Sequence, residues 1–191
     1  MRLILASQSP RRRELMGYFG IPFAIHPADI DEAMDPSRPP WEEVARVSMA
    51  KARAVAREEE DVVISADTIV VCGGRILGKP HSPREAEEML SALSGRSHWV
   101  MTGLTVLARG KALSRVERTR VFFRALSPEE IRRYVATGEP MDKAGAYGIQ
   151  GRGGLFVRRL EGDYYNVMGL PLCALRQMLE QAAPELLEEG K

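Results

Sequence analysis

Apolar and polar positions alternate along this chain with two periods, and the change from one to the other marks out its elements. Residues 3–6 form a short apolar run that predicts a buried strand, followed by a helix over about 10–19 that stops at Gly20. Residues 21–26 predict a second strand. From 41 to about 59, Val44, Val47, Ala50 and Ala54 recur on one helical stripe. Residues 61–72 carry Val-Val-Ile and Thr-Ile-Val-Val, the strongest buried-strand signal, closed by Gly73-Gly74. A helix is predicted over 83–93. Two β-rich runs, 98–108 and 112–125, meet near Arg109-Gly110-Lys111 as a hairpin. A helix over 128–136, a strand over 155–160 and a helix over 170–181 follow, and the tail from 184 is expected to fray. Strands alternate with helices around an antiparallel hairpin, which predicts an α/β fold built on a mixed twisted sheet flanked by helices.

The length of 191 residues suits one domain, and no repeat or low-complexity tract divides it. Residues 35–40 are the one linker-like stretch and are read as a loop before a helix, so a single domain over 1–191 is expected. Hydrophobic residues at 45% and charged residues at 28% exclude wholesale disorder. The net charge of +1 gives no global attraction to nucleic acid or an anionic membrane, so anion binding must come from local clusters. Cys72 and Cys173 stand apart, without zinc-ligand spacing, and predict reduced thiols and a cytoplasmic location. The first apolar run is too short for a signal peptide, and no stretch approaches a membrane span. Arginine outnumbers lysine 22 to 5, a bias of thermophilic or GC-rich sources that identifies no function.

Three predicted helices begin with Ser-Pro. Ser82-Pro-Arg-Glu85 and Ser127-Pro-Glu-Glu130 are capping boxes, with proline at the first helical position. Ser9-Pro-Arg-Arg-Arg13 instead puts three arginines in a first turn, where the helix dipole favours negative charge. Backbone donors with guanidinium forks make a phosphate site there; a solvated arginine run is the plainer reading.

Asp67 interrupts the strongest strand. It is either a metal-binding or general-base carboxylate or a structural cap on a turn. Asp29, Asp31 and Glu32 can share a hard cation with it or form a solvated turn. Of the five lysines, Lys51, Lys79 and Lys143 fall beside these segments; Lys79, in the stiff Gly78-Lys-Pro80, can meet a phosphate as a point charge. Residues 145–154 hold five glycines and match neither the P-loop nor the dinucleotide fingerprint. Such density lets backbone N–H groups approach an anion or a flat base, and Gln150 offers a donor and an acceptor for a base edge; a ligand-free turn is the alternative. His26, His81 and His98 are isolated, which disfavours covalent catalysis and favours metal-assisted hydrolysis of a phosphate ester.

Together Leu5-Ala-Ser-Gln-Ser-Pro-Arg-Arg-Arg-Glu-Leu15, Lys51-Ala52, Ser65-Ala-Asp-Thr-Ile-Val70, Gly78-Lys-Pro80, the segment 142–151 and Gly162-Asp-Tyr-Tyr-Asn-Val-Met-Gly-Leu-Pro-Leu172 resemble the Maf family of nucleoside triphosphate pyrophosphatases, over nearly the whole chain. The resemblance implies a single elongated α/β domain similar to the inosine triphosphate pyrophosphatases, often dimeric, that hydrolyses a nucleoside triphosphate to its monophosphate and pyrophosphate. It implies a nucleotide-pool house-cleaning role linked to arrest of cell division. Ser7, Arg11, Arg12, Lys51 and Lys79 are expected to hold the triphosphate. Glu32 and Asp67 are expected to hold Mg²⁺ or Mn²⁺, with Asp67 also acting on the attacking water. Arg11, Thr68 and Gln150 look like the dTTP/UTP type, with Thr68 and Gln150 at the pyrimidine; Arg13 is variable in such motifs.

Two rival readings stand beside this one. The first is a pyrophosphatase for 7-methyl-GTP or another purine triphosphate. The second is a nucleotide-binding regulator of cell division without turnover, against which the paired carboxylates speak, since a pure anion binder gains nothing from acids beside its phosphates. Stable nucleic-acid binding is not expected at this net charge, nor is membrane association; the family resemblance implies a homodimer.

Overall fold

In a computed structural model describing residues 1–188, the chain runs β1 (Arg2–Leu5), α1 (Pro10–Gly17), β2 (Ala24–Ile25), α2 (Pro40–Val55), β3 (Asp61–Cys72), β4 (Arg75–Leu77), α3 (Pro83–Leu93), β5 (Ser97–Ala108), β6 (Lys111–Phe123), α4 (Pro128–Val135), β7 (Val157–Glu161), α5 (Tyr164–Met168), α6 (Leu172–Ala182) and α7 (Glu185–Glu188). Three short 3-10 turns, Glu139–Asp142, Ala144–Ala146 and Arg152–Phe156, lie between α4 and β7. Among the described residues the sheet has seven strands in the order β2-β1-β3-β5-β6-β7, with β4 paired to β3. It is mixed as expected: β1 runs parallel to β2 and β3, while the β3–β4 and β6–β7 pairs are antiparallel.

The residues form two compact units. One comprises 1–67, 102–117 and the chain from Gly169; the other comprises 68–101 and 118–168. Strands β3, β5 and β6 contribute residues to both. In the first unit Ile4, Ala6 and Val63 of the sheet side meet Ala52 and Val55 of α2. In the second, Leu90 and Leu93 of α3 and Ile131 and Val135 of α4 close over Val100, Val121 and Phe123. Phe123, Tyr147, Phe156 and His98 add edge-to-face ring contacts there.

Helices α3 and α4 begin as their capping boxes predict: Ser82 Oγ accepts from Glu85 N at 3.2 Å, and Ser127 Oγ from Glu130 N at 3.1 Å. Elsewhere boundaries moved. The strand expected over 21–26 shrinks to two residues, because Pro22 and Pro27 bracket it and neither has an N–H for a ladder. The helix expected to reach 59 ends at Val55; Asp61 accepts from Glu58 N and from the Arg2 guanidinium, turning the chain into β3 instead. Strand β4 was not expected. Gly73 and Gly74, at φ of 56° and 79°, take the left-handed conformations of a tight hairpin and fold the chain back. The tail does not fray over 184–188: α7 buries Leu186, and Glu185 pairs with Arg109. The remainder of that expectation, 189–191, lies outside the described residues.

Candidate active site

The first unit builds its site from sheet and helix periodicity. Ser65 and Asp67 lie on one face of β3, two residues apart; Ser48 and Lys51 lie on one face of α2, three apart. Ser65 Oγ donates to Ser48 O at 2.6 Å, and Ser48 Oγ donates to Thr105 Oγ1 of β5 at 2.9 Å. These buried hydroxyls fix the register of helix on sheet. Gly103 allows the approach, since a Cβ there would stand 2.3 Å from Val44 O. Advanced one step along each element, the same register brings Lys51 Nζ to 2.8 Å from Asp67 Oδ1. Lys51 and Asp67 are each only 7% exposed, so this ion pair is largely withdrawn from water.

Glu32 completes the cluster, with Oε2 2.8 Å from the same Lys51 ammonium. Its loop is held from α2. The buried Glu43 carboxylate accepts from Asp35 N and from Arg46, whose Nη2 also donates to Ala33 O at 2.7 Å. The Arg46 guanidinium, with the Asp35 N–H, holds the Glu43 carboxyl down to about 2. The three acids at 29–32 thus part company: Asp31 accepts from Ala33 N in a local turn, Asp29 is exposed, and Glu32 reaches Lys51. Sequence reasoning missed Glu43 and Arg46; a glutamate beside Val44 and Val47 on the apolar stripe of α2 was the available signal.

The start of α1 differs from those of α3 and α4. Ser9 makes no side-chain cap, and no acid stands in the first turn. Ser7 Oγ instead accepts from Ser9 N at 3.2 Å and from Arg12 Nη1 at 3.3 Å, while Arg12 Nε donates to Gly169 O at 2.8 Å. Burial lowers the Arg12 pKa, opposed by the charge of Asp67 and reinforced by Arg11, while Glu32 also opposes it. Ser7, Arg11, Arg12, Glu32, Lys51 and Asp67 therefore share one electrostatic neighbourhood. Arg13 lines an open depression of about 780 Å³ together with Ser7, Ser9, Ile21 and Phe23. Lys51, expected among the phosphate ligands, has two carboxylates as neighbours.

In the second unit, Thr68 is half-buried, whereas Lys79 and Gln150 are exposed. The loops of Lys79 and the glycine-rich segment meet where Gly145 N donates to Gly78 O at 3.0 Å. Lys143 Nζ donates to Glu139 O and to Asp142 Oδ1, tying down its own turn. The anion that the glycine-rich backbone approaches is Glu139, whose carboxylate accepts from the N–H groups of Arg152 and Gly153. Sequence reasoning also missed this residue, for which no local signal exists.

Among the described residues no cluster of three or more His, Cys, Asp or Glu is placed to hold a metal. The Glu32–Asp67 pair still fits a hard cation, because two carboxylate oxygens converge on one positive charge. Two carboxylates, completed by substrate phosphates, are a usual donor set for Mg²⁺. No helix of the described residues is long and apolar enough to cross a membrane.

The mixed seven-stranded sheet flanked by helices is similar in fold to the Ham1 proteins. The Ham1 protein of Staphylococcus aureus is similar with a TM-score of 0.51 at 16% identity, covering 95% of this chain and 99% of that one. A HAM1 protein from Coxiella burnetii gives 0.50 at 15%, covering 95% and 100%. Within that fold the chain belongs to the Maf family: the Maf-like protein model matches residues 2–182. A dTTP/UTP pyrophosphatase of Moorella thermoacetica is 55% identical over 93% of each chain. A dTTP/UTP pyrophosphatase of Bacillus cereus is 48% identical over 94% of this chain and 95% of that one.

Proposed function

We propose that this protein hydrolyses dTTP and UTP to the monophosphate and pyrophosphate, as a cytoplasmic house-cleaning enzyme acting through one functional domain over 1–191, as a homodimer and without stable nucleic-acid binding. The observation that carries the reading is Lys51 Nζ held at 2.8 Å from both Asp67 and Glu32, beside the Ser7–Arg12 start of α1. The activity named for the relatives supports it.

Ser7, Arg11 and Arg12 bind phosphate oxygens with hydroxyl and guanidinium donors, and Lys79 adds a point charge. Lys51 has three N–H donors: two orient Asp67 and Glu32, and the third meets the phosphate. Its bond to Oδ1 turns the Asp67 carboxylate so that Oδ2 takes a proton from water. The water oxygen attacks the α-phosphorus, the bond to the β-phosphate oxygen breaks, and pyrophosphate leaves. Glu32 and Asp67 would hold Mg²⁺ or Mn²⁺, which when bound neutralises phosphate charge. Thr68 and Gln150 meet the pyrimidine, with Arg11 assisting.

The test is purified protein with Mg²⁺ or Mn²⁺ and a panel of UTP, dTTP, CTP, GTP, ITP and 7-methyl-GTP, with chelator controls and products separated by chromatography. UMP and dTMP with pyrophosphate, lost on chelation, are expected. Turnover of purines alone would overturn the roles of Arg11, Thr68 and Gln150. Turnover that survives chelation would remove the metal. Binding of UTP without any product would make the chain a regulator.

A further inference from the structure

The glycine-rich turn around Gln150 closes on an internal carboxylate. Glu139 follows α4 after a short turn, and its Oε1 accepts from Tyr134 Oη at 2.9 Å and from Gly153 N at 3.2 Å. Its Oε2 accepts from Arg152 N at 3.1 Å. Tyr134 Oη in turn accepts from Gly148 N at 3.3 Å, and Gly151 N donates to Gly148 O at 3.3 Å. The backbone on both sides of Gln150 is therefore tied to one Tyr134–Glu139 unit. The turn packs directly on this unit: a Cβ at Gly151 would stand 2.3 Å from Glu139 Oε1, and one at Gly153 would stand 2.8 Å from Tyr134 Oη. Burial pushes the Glu139 carboxyl upward, but the two backbone N–H groups and the tyrosine hydroxyl outweigh it and hold the group below its ordinary value. The carboxylate thus stays charged and clamped at neutral pH.

Gln150 itself is exposed, so its side chain must be ordered when it binds a base. A fixed backbone lowers what binding must order, and aims the amide. We propose that Glu139 is a positioning residue for base selection: it holds the 148–153 turn so that Gln150 presents its amide to the pyrimidine. This rests on the proposed pyrimidine contact of Gln150. Glu139 touches no reacting atom, so it governs which base is held rather than how fast the phosphoanhydride breaks.

Glu139→Gln keeps the size of the side chain but gives up one acceptor oxygen. Measured with UTP and GTP, the variant should raise KM for UTP about tenfold, leave kcat within about threefold, and lower the preference for UTP over GTP. Unchanged KM and preference would overturn the proposal, and so would a fall in kcat at constant KM. Gly151→Ala provides a second route that does not depend on the folding of Glu139→Gln. Alone it should raise KM for UTP, because the methyl strikes Glu139; in a Glu139→Ala background it should add little. Effects of the two substitutions that simply add would refute the clamp. A wild-type protein that turns over no pyrimidine triphosphate would sink the parent reading and this one with it. A pyrimidine-selective wild type with an unaltered Glu139→Gln would sink this one alone.

Discussion

Lys51 is the residue whose removal best separates the two contributions of the carboxylate cluster. Its side chain is 9% exposed, that of Asp67 is 11% and that of Glu32 is 54%, with both contacts at 2.8 Å. Substituting Lys51→Met keeps most of the volume and adds little cavity term. It leaves the Asp67 carboxylate withdrawn from water without its ammonium, which costs about 3 kcal/mol at the lower end for breaking a buried pair. The Glu32 contact is largely solvated and accounts for no more than about 1 kcal/mol. For a chain of this size a loss of about 3 kcal/mol lowers Tm by roughly 6–12 °C. Urea unfolding of Lys51→Met and Glu32→Gln should therefore show a large shift for the first and almost none for the second. Activity should fall about 100-fold or more in Lys51→Met, the scale seen when a charge-stabilising donor is lost. A Lys51→Met protein as stable as wild type, or a Glu32→Gln protein equally destabilised, would refute this assignment of the energy to the Lys51–Asp67 pair.

Asp67→Asn preserves shape and should abolish turnover while leaving the far-ultraviolet circular dichroism unchanged; most of the activity surviving would remove the proton-accepting role. Gly103→Ala should destabilise the protein by about 3 kcal/mol and lower kcat through Lys51, because the backbone of α2 blocks the new methyl; a wild-type urea midpoint would contradict it. Burial pushes His98 down to about 4 from 6.5, so the unfolded chain binds a proton that the folded one refuses. Stability should accordingly be full above pH 6.5 and fall toward pH 4, by up to about 3 kcal/mol, and His98→Phe should flatten that slope in urea midpoints taken between pH 5 and 7. Glu43, held at about 2, carries the opposite kind of shift, and its contribution is lost only below about pH 4.5, outside that window.

Much of the fold was legible because its signals are local. The apolar run of β3 and the stripe of α2 follow from period alone, and the caps of α3 and α4 from a serine and a glutamate three apart. The misplaced boundaries at β2 and the end of α2 lie where prolines or a side-chain acceptor compete with the regular pattern. The anomaly at the first helix was also legible: two serine caps were sound, and the third start carries arginine and no cap.

Residue types, the alternation of elements and the family motifs are readable along the chain, since each is a property of neighbouring positions. Which charges meet is set by the packing of the folded chain. Lys51 and Asp67 are 16 residues apart and meet because Ser48 and Ser65 lock helix to strand one step away. The glycine-rich segment gave every sign of an anion cradle, and its backbone does hold an anion, but the anion is the chain's own Glu139. Periodicity says which face a side chain occupies; its partner across space depends on a register that many buried contacts fix together.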